Sequence, residues 1–341
     1  MSTAARSLEP SPIIKSTRDG SLDFTKGVLV LVMILFHSLQ YFVADEFKPL
    51  NYLAFVTGAF VFLSGCWIME SSRSDNGVTL QPRSQDLIRR GFKLLALFVV
   101  LNIPLYWIRS HRDSDPAFST AIGFDQLGSV FISGNKALVA YEMLIPIAYT
   151  LMAAALYGWF LKTKMVFLIT AITAAWIMNQ FLSERFNFQY LALGHLGMGV
   201  GILRSNQLCS EGLKKIWYGV SAGLLTYVLT ITFLPKDTPW IYAGGVIAVV
   251  EFIRTSHQLT WIPHWVSWPV AILGQYSLLG YLSQIVLLRS IQTVAPQGQV
   301  SSLGLAIILI FSTGFILLLS LVVDRTRRIS GWFNRLYRFV F

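Results

Sequence analysis

An apolar run with one histidine inside it constrains the fold of this chain more than any other feature. The run covers residues 27–43, and its only strongly polar side chains are His37, Ser38 and Gln40. A stretch of this length and apolarity is typical of a helix that crosses a lipid bilayer. Further apolar segments follow, so that the predicted spans cover residues 24–43, 51–69, 91–109, 138–160, 165–183, 188–203, 216–234, 240–253, 266–289 and 302–323. The sequence therefore predicts an all-α, polytopic membrane protein with about ten transmembrane helices.

The composition excludes an ordinary soluble protein. Of the 341 residues, 54% are hydrophobic and only 13% are charged, and the mean hydropathy is +0.59, which is unusual for a globular domain. The formal net charge of +10 could indicate nucleic-acid binding, but the basic residues lie between the apolar segments. That placement is a topology signal. We therefore expect the lipid bilayer, and no nucleic acid, as a partner.

The distribution of basic residues predicts the orientation in the membrane. With a cytoplasmic N-terminus, 20 of the 27 lysines and arginines fall on the cytoplasmic side of the ten-span scheme, and an excess of basic residues marks that side. Both termini are then cytoplasmic, and we expect the inner (plasma) membrane of a bacterium as the location. The predicted organisation is a flexible tail at 1–20, a membrane domain at 21–324 and a basic amphipathic tail at 325–341.

The cysteines indicate neither a disulfide framework nor a metal site. Cys66 lies inside an apolar segment and Cys209 in a predicted loop. Neither belongs to a group of residues with metal-ligand spacing. We expect no bound metal.

The histidine of the first segment is the strongest candidate for chemistry. Lys26 and His37 are eleven residues apart in the sequence, and at about 100° per residue that spacing returns to nearly the same helix face. His37 then lies roughly 16 Å beyond Lys26, near the middle of a ~30 Å hydrocarbon layer. A titratable group there marks a function by default, although a histidine that hydrogen-bonds a neighbouring helix is the structural alternative. The stripe that these two residues share also contains Asp23, Val30, Met33 and Gln40.

The polar residues at the start of this segment have a recognisable order. Leu22-Asp23 is followed by Lys26 and, eleven positions later, by His37. This order resembles the first helix of acyltransferase family 3, in which an arginine usually stands where this sequence has Lys26. Lysine keeps the charge but lacks the planar fork with which arginine binds a phosphate or carboxylate.

Two later segments are also similar to that family. The second span ends in a phenylalanine-rich stretch with Ser64-Gly65, and the ninth contains Tyr281 followed by leucine. The family often has a histidine after this Tyr-Leu pair, whereas here Ser283 and Gln284 follow. The resemblance therefore leaves His37 as the more convincing base.

A basic pair opens the third span. Arg90 and Lys93 are three residues apart and would share one face of a helix. The preference for basic residues on the cytoplasmic side explains such cations by itself. The family resemblance implies instead that the pair binds the acyl donor, and two cations on one face could clamp an anionic phosphate such as that of coenzyme A.

Three further polar residues are candidates for binding the substrate. Glu142 lies about a turn or two inside the fourth span, where it could pair with a cation, act as an acid–base group or form a rim. His195, in the glycine-rich sixth span, could face the site or bond a neighbouring helix. Gln40 lies on the same stripe as His37.

The resemblance implies a function as well as a fold. It predicts an integral membrane O-acyltransferase that moves an acetyl or succinyl group from cytoplasmic acyl-CoA, with acetyl-CoA as the expected co-substrate, to a hydroxyl of a carbohydrate or similar acceptor. The glucan-succinylating and heparan-alpha-glucosaminide N-acetyltransferase-like branches look most similar. In this role His37 removes the hydroxyl proton or carries the acyl group, while Asp23 and Lys26 orient the donor or the helix entrance.

Two other classes of function stay open at this point. A proton-coupled secondary transporter could use His37, Glu142 and His195 as a relay, although no pair of broken helices in matching halves of the sequence supports it. A protein with the acyltransferase fold that only binds or senses is the other alternative, because of the lysine replacements and the absent late histidine. Whether the chain forms a homo-oligomer is also open.

Overall fold

The computed structural model describes most of the chain, and these residues are almost wholly helical. The described residues are 20–43, 50–71, 73–74, 77–78, 84–112, 129–132, 141–160, 164–181, 186–204, 210–233, 239–259, 262–294 and 300–340. Residues 1–19, which make up nearly all of the predicted N-terminal tail, lie outside them, as does Cys209.

The labelled helices and the single short hairpin within these residues follow one another along the chain. The helices are α1 (Gly20–Phe42), α2 (Leu50–Leu53), α3 (Phe55–Ser71), α4 (Ser84–Arg112), α5 (Leu144–Phe160), α6 (Lys164–Phe181), α7 (Phe186–Arg204), α8 (Ser210–Phe233), α9 (Pro239–Gln258), α10 (His264–Gln275), α11 (Ser277–Gln292), α12 (Ser302–Ile329) and α13 (Gly331–Val340). Between α3 and α4, β1 (Arg73–Ser74) pairs antiparallel with β2 (Gly77–Val78). The predicted all-α class is confirmed.

The apolar helices give the protein the character of a membrane protein. By length and composition, α1 and α12 could each cross a bilayer, and the bent pair of α10 and α11 is a third candidate span. Shorter apolar helices are α3, α5 and residues 165–178 of α6. Large apolar side chains are exposed along α12, for example Ile310 at 75% and Leu318 at 61%. A surface of this kind is suited to lipid and not to water.

The predicted ninth span at 266–289 is wrong as one continuous helix. The chain is bent by 82° between α10 and α11. At the bend Tyr276 leaves the helical conformation, with φ −108° and ψ 25°, and its hydroxyl donates a hydrogen bond of 2.9 Å to Asp324 on α12. Gln275 and Ser277 flank Tyr276 in the sequence, so the apolar pattern is weaker at the bend.

Helix α1 lies at the centre of the helix packing and contacts α3, α9, α10, α11 and α12. The closest approach is to α10, where Gly27 and Gly274 face the partner backbone. A Cβ at Gly27 would overlap the carbonyl oxygen of Val270, and one at Gly274 would overlap that of Asp23. Small residues that let two backbones touch are typical of helix pairs in membranes. The contact fixes the start of α1 and therefore the positions of Asp23 and Lys26.

Helices α3 and α7 pack in the same way. A Cβ at Gly65 would overlap the carbonyl oxygen of Gly194, and one at Gly197 would overlap that of Phe62. The glycine-rich stretch of the sixth predicted span is therefore a packing surface. Helix α3 of this pair contains Trp67.

A buried ionic network ties α1, α3, α7 and α9 together at the N-terminal end of α1. Arg254, which is 2% exposed, donates to both carboxylate oxygens of Glu70 at 2.6 and 2.7 Å. A second arginine, Arg204, donates to Glu251 and, at 2.6 Å, to Gln258. Ser21 of α1 joins both halves, because its hydroxyl accepts from the Arg254 Nε at 3.3 Å and from the Gln258 amide at 3.2 Å.

The C-terminal region is part of the helical fold. Helix α12 continues to Ile329, beyond the predicted domain boundary at residue 324, and α13 turns back onto the bundle. The Arg327 guanidinium lies 4.3 Å from the ring centroid of Tyr337 and 5.5 Å from that of Tyr276. The basic segment therefore packs against the bend between α10 and α11.

Candidate active site

His37 lies in the C-terminal half of α1, half-buried, with its ring held by residues of the same helix. Its Nδ1 is 3.3 Å from Oε1 of Gln40, and its ring stacks on Tyr41 with centroids 5.7 Å apart. Since an amide oxygen only accepts, this contact requires the tautomer in which Nδ1 carries the proton. The Nε2 lone pair is then the basic position of the ring.

A half-buried arginine approaches the same aromatic ring from α11. The guanidinium of Arg289 lies 5.5 Å from the ring centroid of Tyr41 and interacts electrostatically with His37. The amide of Gln292 donates to the backbone oxygen of Tyr41 at 3.4 Å. We call His37, Tyr41 and Arg289 the His37 cluster. It combines a base with a cation inside the helix bundle.

Glu142 follows a backbone position of unusual geometry. Tyr141 has a φ of 61°, in the left-handed region that a large side chain rarely adopts. Its ring is 3% exposed and lies edge-on to Tyr281 of α11, with centroids 6.0 Å apart. Glu142 interacts electrostatically with Tyr281 and with Tyr190 of α7. Strained backbone of this kind is concentrated at functional sites.

The two cations predicted for different roles meet at the other end of α1. The ammonium of Lys26 lies 5.7 Å from the ring centroid of Trp67 on α3, and the guanidinium of Arg90 on α4 lies 5.3 Å from the same centroid. We call these three residues the Trp67 cluster. Asp23 precedes it on α1 and is 3% exposed. Three helices thus bring two positive charges to one indole.

Lys93 faces a different partner from Arg90. Its ammonium donates to the backbone oxygen of Arg338 at 3.4 Å and lies 5.2 Å from the ring centroid of Phe339. Both residues belong to α13. The structure therefore places Arg90 against α3 and Lys93 against the C-terminal helix, so the predicted pair is divided between two neighbouring surfaces.

His195 is fully buried and both of its ring nitrogens have partners. Nδ1 lies 2.8 Å from the backbone oxygen of Leu191, to which it donates, and Nε2 accepts from the hydroxyl of Tyr157 at 2.8 Å. The two candidate histidines therefore differ in kind. His195 joins α7 to α5 and has no lone pair left for a substrate, which is the neighbour-bonding role of the two left open by the sequence.

The positions that replace the expected late histidine are polar and buried. Ser283 donates to the backbone oxygen of Leu279 at 2.6 Å, within its own helix. Gln284 is 0% exposed, and neither atom of its amide has a hydrogen-bond partner among the described residues. A buried amide without partners is unfavourable. Gln284 lies on α11 between Tyr281 and Arg289, which both contribute to the region around His37.

The sequence did not point to several of these residues. Trp67, Tyr41 and Tyr281 look like ordinary membrane aromatics, and Arg289 counts only as a charge near the end of a span. One signal was available for Arg289: a cation within a predicted apolar segment suggests a function. The aromatic rings could not be found in this way, because their role depends on which cation packs against them.

The family model of the acyltransferase domain (acyltransferase family 3) matches residues 19–325 of the chain. The protein belongs to this family. The match begins just before α1 and ends within α12, so it includes both clusters, Glu142 and the bend. No curated protein and no solved structure matches the chain. Membership of the family supports acyltransferase activity in general.

Proposed function

We propose that the protein is a membrane O-acyltransferase that transfers an acetyl or succinyl group from cytoplasmic acyl-CoA to a hydroxyl of a carbohydrate or similar acceptor. One observation carries the proposal. Lys26 and Arg90 meet at Trp67, and His37 lies on the same helix as Lys26, about 16 Å further along its axis. Acyl transfer needs a site for the anionic donor and a base for the acceptor. Helix α1 contains a candidate for each, Lys26 for the donor site and His37 for the base.

The Trp67 cluster is suited to the donor. Acyl-CoA carries phosphates that need cations where the cofactor meets the membrane, and charge-assisted contacts to Lys26 and Arg90 would supply them. The indole of Trp67 contacts both cations through cation–π interactions. The thioester lies at the far end of the flexible arm of CoA, so the reacting carbonyl would lie deeper than the phosphates. Asp23, on the same stripe, would orient the entrance.

His37 is suited to act on the acceptor. Its Nε2 takes the proton of the acceptor hydroxyl while the oxygen attacks the thioester carbonyl. The carbon–sulfur bond then breaks, a carbon–oxygen ester bond has formed, and the CoA thiolate receives a proton from the imidazolium. Gln40 fixes the tautomer that this step requires. In the covalent alternative, Nε2 attacks the thioester carbonyl, so that a carbon–nitrogen bond forms and the CoA thiolate leaves. The acceptor hydroxyl then attacks the acyl-imidazole, the carbon–oxygen ester bond forms as the carbon–nitrogen bond breaks, and the hydroxyl proton passes to the CoA thiolate.

The proposed topology has ten spans with both termini in the cytoplasm. The uneven distribution of lysine and arginine supports it, and α11 with 16 residues can act as the ninth span while α10 lies at the cytoplasmic side. Cysteine-accessibility labelling tests this arrangement. Positions near Arg83 and Lys214 should label from the cytoplasm, and positions near Asp115 and Asp237 from outside. Labelling of Arg83 and Asp115 from one side would contradict the scheme.

The acceptor class and the acyl group rest on sequence resemblance. The run Gly-Gln-Tyr-Ser-Leu at residues 274–278 is similar to the glucan-succinylating branch and its heparan-modifying relatives. We therefore propose a glycan acceptor at or across a bacterial inner membrane, with acetyl-CoA and succinyl-CoA as the donors to test first.

The deciding experiment measures release of CoA and transfer of label together. Purified full-length protein is incubated with radiolabelled acetyl-CoA or succinyl-CoA and membrane glycan extracts, with protein-free and acceptor-free reactions as controls. We expect acceptor-dependent CoA release and label in the glycan in equal amounts. Acyl-CoA that is bound but never cleaved would indicate a non-catalytic binder. Label that crosses proteoliposomes without CoA release would indicate a transporter.

A further inference from the structure

Arg289 is a half-buried cation without a carboxylate partner in the described part of the chain. Its Nε is inaccessible to solvent and has no hydrogen-bond partner, and no described carboxylate forms an ion pair with its guanidinium. Its guanidinium lies over the ring of Tyr41 and interacts electrostatically with His37 and Tyr141. It lies in the last turn of α11.

An arginine in an apolar segment is unfavourable unless its charge is compensated. A cation–π contact offsets only part of the cost of this uncompensated charge, on the order of 0.5–2 kcal/mol. Two other arginines of the bundle, Arg254 and Arg204, each bond a glutamate. The absence of a described carboxylate at Arg289 therefore points to a group that the chain itself does not supply.

We propose that Arg289 and the adjoining ring of Tyr41 form a subsite for a negatively charged oxyanion, a carboxylate or a phosphate, carried by a substrate that reacts at His37. This inference rests on the proposed function, because it identifies the substrate class of the same site. The planar guanidinium offers a fork of N–H donors that matches a carboxylate or phosphate in a bidentate manner. A neutral hydroxyl would leave the charge uncompensated.

Two sources of the oxyanion fit this chemistry. A dicarboxylic acyl group, such as succinyl, would bring its free carboxylate next to the reacting thioester. Alternatively, an acidic acceptor would bring its own carboxylate or phosphate. In both cases the anion also lies near the imidazolium that forms when His37 takes a proton, and would stabilise it.

Binding is tested without any requirement for turnover. The thermal unfolding midpoint of lipid-depleted, full-length protein is measured against succinate and inorganic phosphate, in an Arg90→Gln background that removes the guanidinium of the Trp67 cluster. We expect a concentration-dependent rise that is lost on adding Arg289→Gln, weakened but retained with Arg289→Lys, and retained with the control Arg328→Gln, whose side chain is 77% exposed and paired with Asp324. If Arg289→Gln does not fold, the Arg289→Lys and control titrations decide, since the proposal requires lysine to bind more weakly.

Kinetics then identify the source. If the acyl group carries the charge, Arg289→Gln raises the KM for succinyl-CoA ten- to a hundredfold more than that for acetyl-CoA, the usual scale of a lost charge-assisted contact of about 1.5–3 kcal/mol. If the acceptor carries it, the KM of an acidic glycan rises by a similar factor with either donor. Failure of the acyltransferase proposal would show as absent turnover with the thermal shift intact. A shift that survives Arg289→Gln, or one produced only by anionic phospholipid micelles, would overturn the subsite.

Discussion

Two sets of arginines in this protein have opposite surroundings. Arg254 and Arg204 lie in a closed network in which each guanidinium meets a glutamate. Arg90 and Arg289 lie against the rings of Trp67 and Tyr41, with no described carboxylate bonded to either. In the first arrangement each guanidinium has its countercharge within the protein. The second leaves N–H donors for a ligand, and both of its members lie beside residues of the candidate active site.

The two candidate histidines repeat this contrast. His195 has a hydrogen-bond partner at each nitrogen, whereas the recorded hydrogen bond of His37 is at Nδ1 alone. Groups that serve the fold have their hydrogen bonds satisfied internally, because an unpaired buried polar atom costs stability. A group that acts on a substrate keeps a hydrogen-bonding atom available for it. The hydrogen bonds of the two candidate histidines therefore separate a structural from a functional role.

Breaking a complete pair should have the largest effect. Arg254→Ala leaves Glu70 with an uncompensated charge, and we expect a loss of about 3–5 kcal/mol in stability, seen as a strongly reduced unfolding midpoint or yield of folded protein. The double variant Arg254→Met/Glu70→Leu should recover most of the loss, since it removes both charges together. If the double variant is as unstable as Arg254→Ala, the ionic network has a role beyond charge pairing.

Removal of the open histidine should abolish activity but not folding. We expect His37→Ala to lower turnover by about two orders of magnitude or more, the scale of a lost general acid–base, with a near-normal unfolding midpoint. His264→Ala is the matched control, because His264 is exposed at the start of α10. A well-folded His37→Ala that retains most of its turnover would make His37 a structural residue.

Removal of an open arginine should affect binding of the donor. Arg90→Ala should raise the KM for acyl-CoA about ten- to a hundredfold and change kcat little, because a phosphate contact acts equally in the ground state and the transition state. Arg89→Ala is the control, since it removes the same charge one residue away on the same helix. Lys93→Ala should have a smaller effect on KM, given that Lys93 faces α13. Equal KM values in wild type, Arg89→Ala and Arg90→Ala would exclude Arg90 from the donor site.

Removal of one bond from the closed histidine should have the smallest effect. Tyr157→Phe leaves Nε2 of His195 without its donor, so we expect a loss of about 1–3 kcal/mol in stability and unchanged kinetic constants per folded molecule. The measurement is a denaturation curve beside an activity assay of the same preparation. A large fall in kcat would place His195 in the reaction after all.

The sequence predicted the membrane class and the most distinctive helix well. The spacing of Asp23, Lys26 and His37 requires only the period of an α-helix, and α1 indeed contains all three. Gly65 of α3 lies at a close helix contact, as small residues in an apolar helix favour. Both results depend on properties that neighbouring residues along one chain determine together.

The bend between α10 and α11 was not predictable in this way. The short polar stretch Gln275-Tyr276-Ser277 is compatible with a continuous span, and the hydrogen bond from Tyr276 to Asp324, 48 residues later, is a tertiary contact. The division of Arg90 from Lys93 has the same origin. Helical spacing puts both on one face, but α3 and α13 approach that face from different sides and each takes one cation.

By itself, the sequence determined that this chain is a helical membrane protein of the acyltransferase type with a histidine inside its first helix. Hydrophobic periodicity and short motifs are local, and they are sufficient for such conclusions. Only the tertiary structure decided which polar groups are satisfied. Whether Arg254 or Arg289, His195 or His37, finds a partner depends on residues from distant helices, and the free energy of a buried charge is set by those neighbours and not by its position in the sequence.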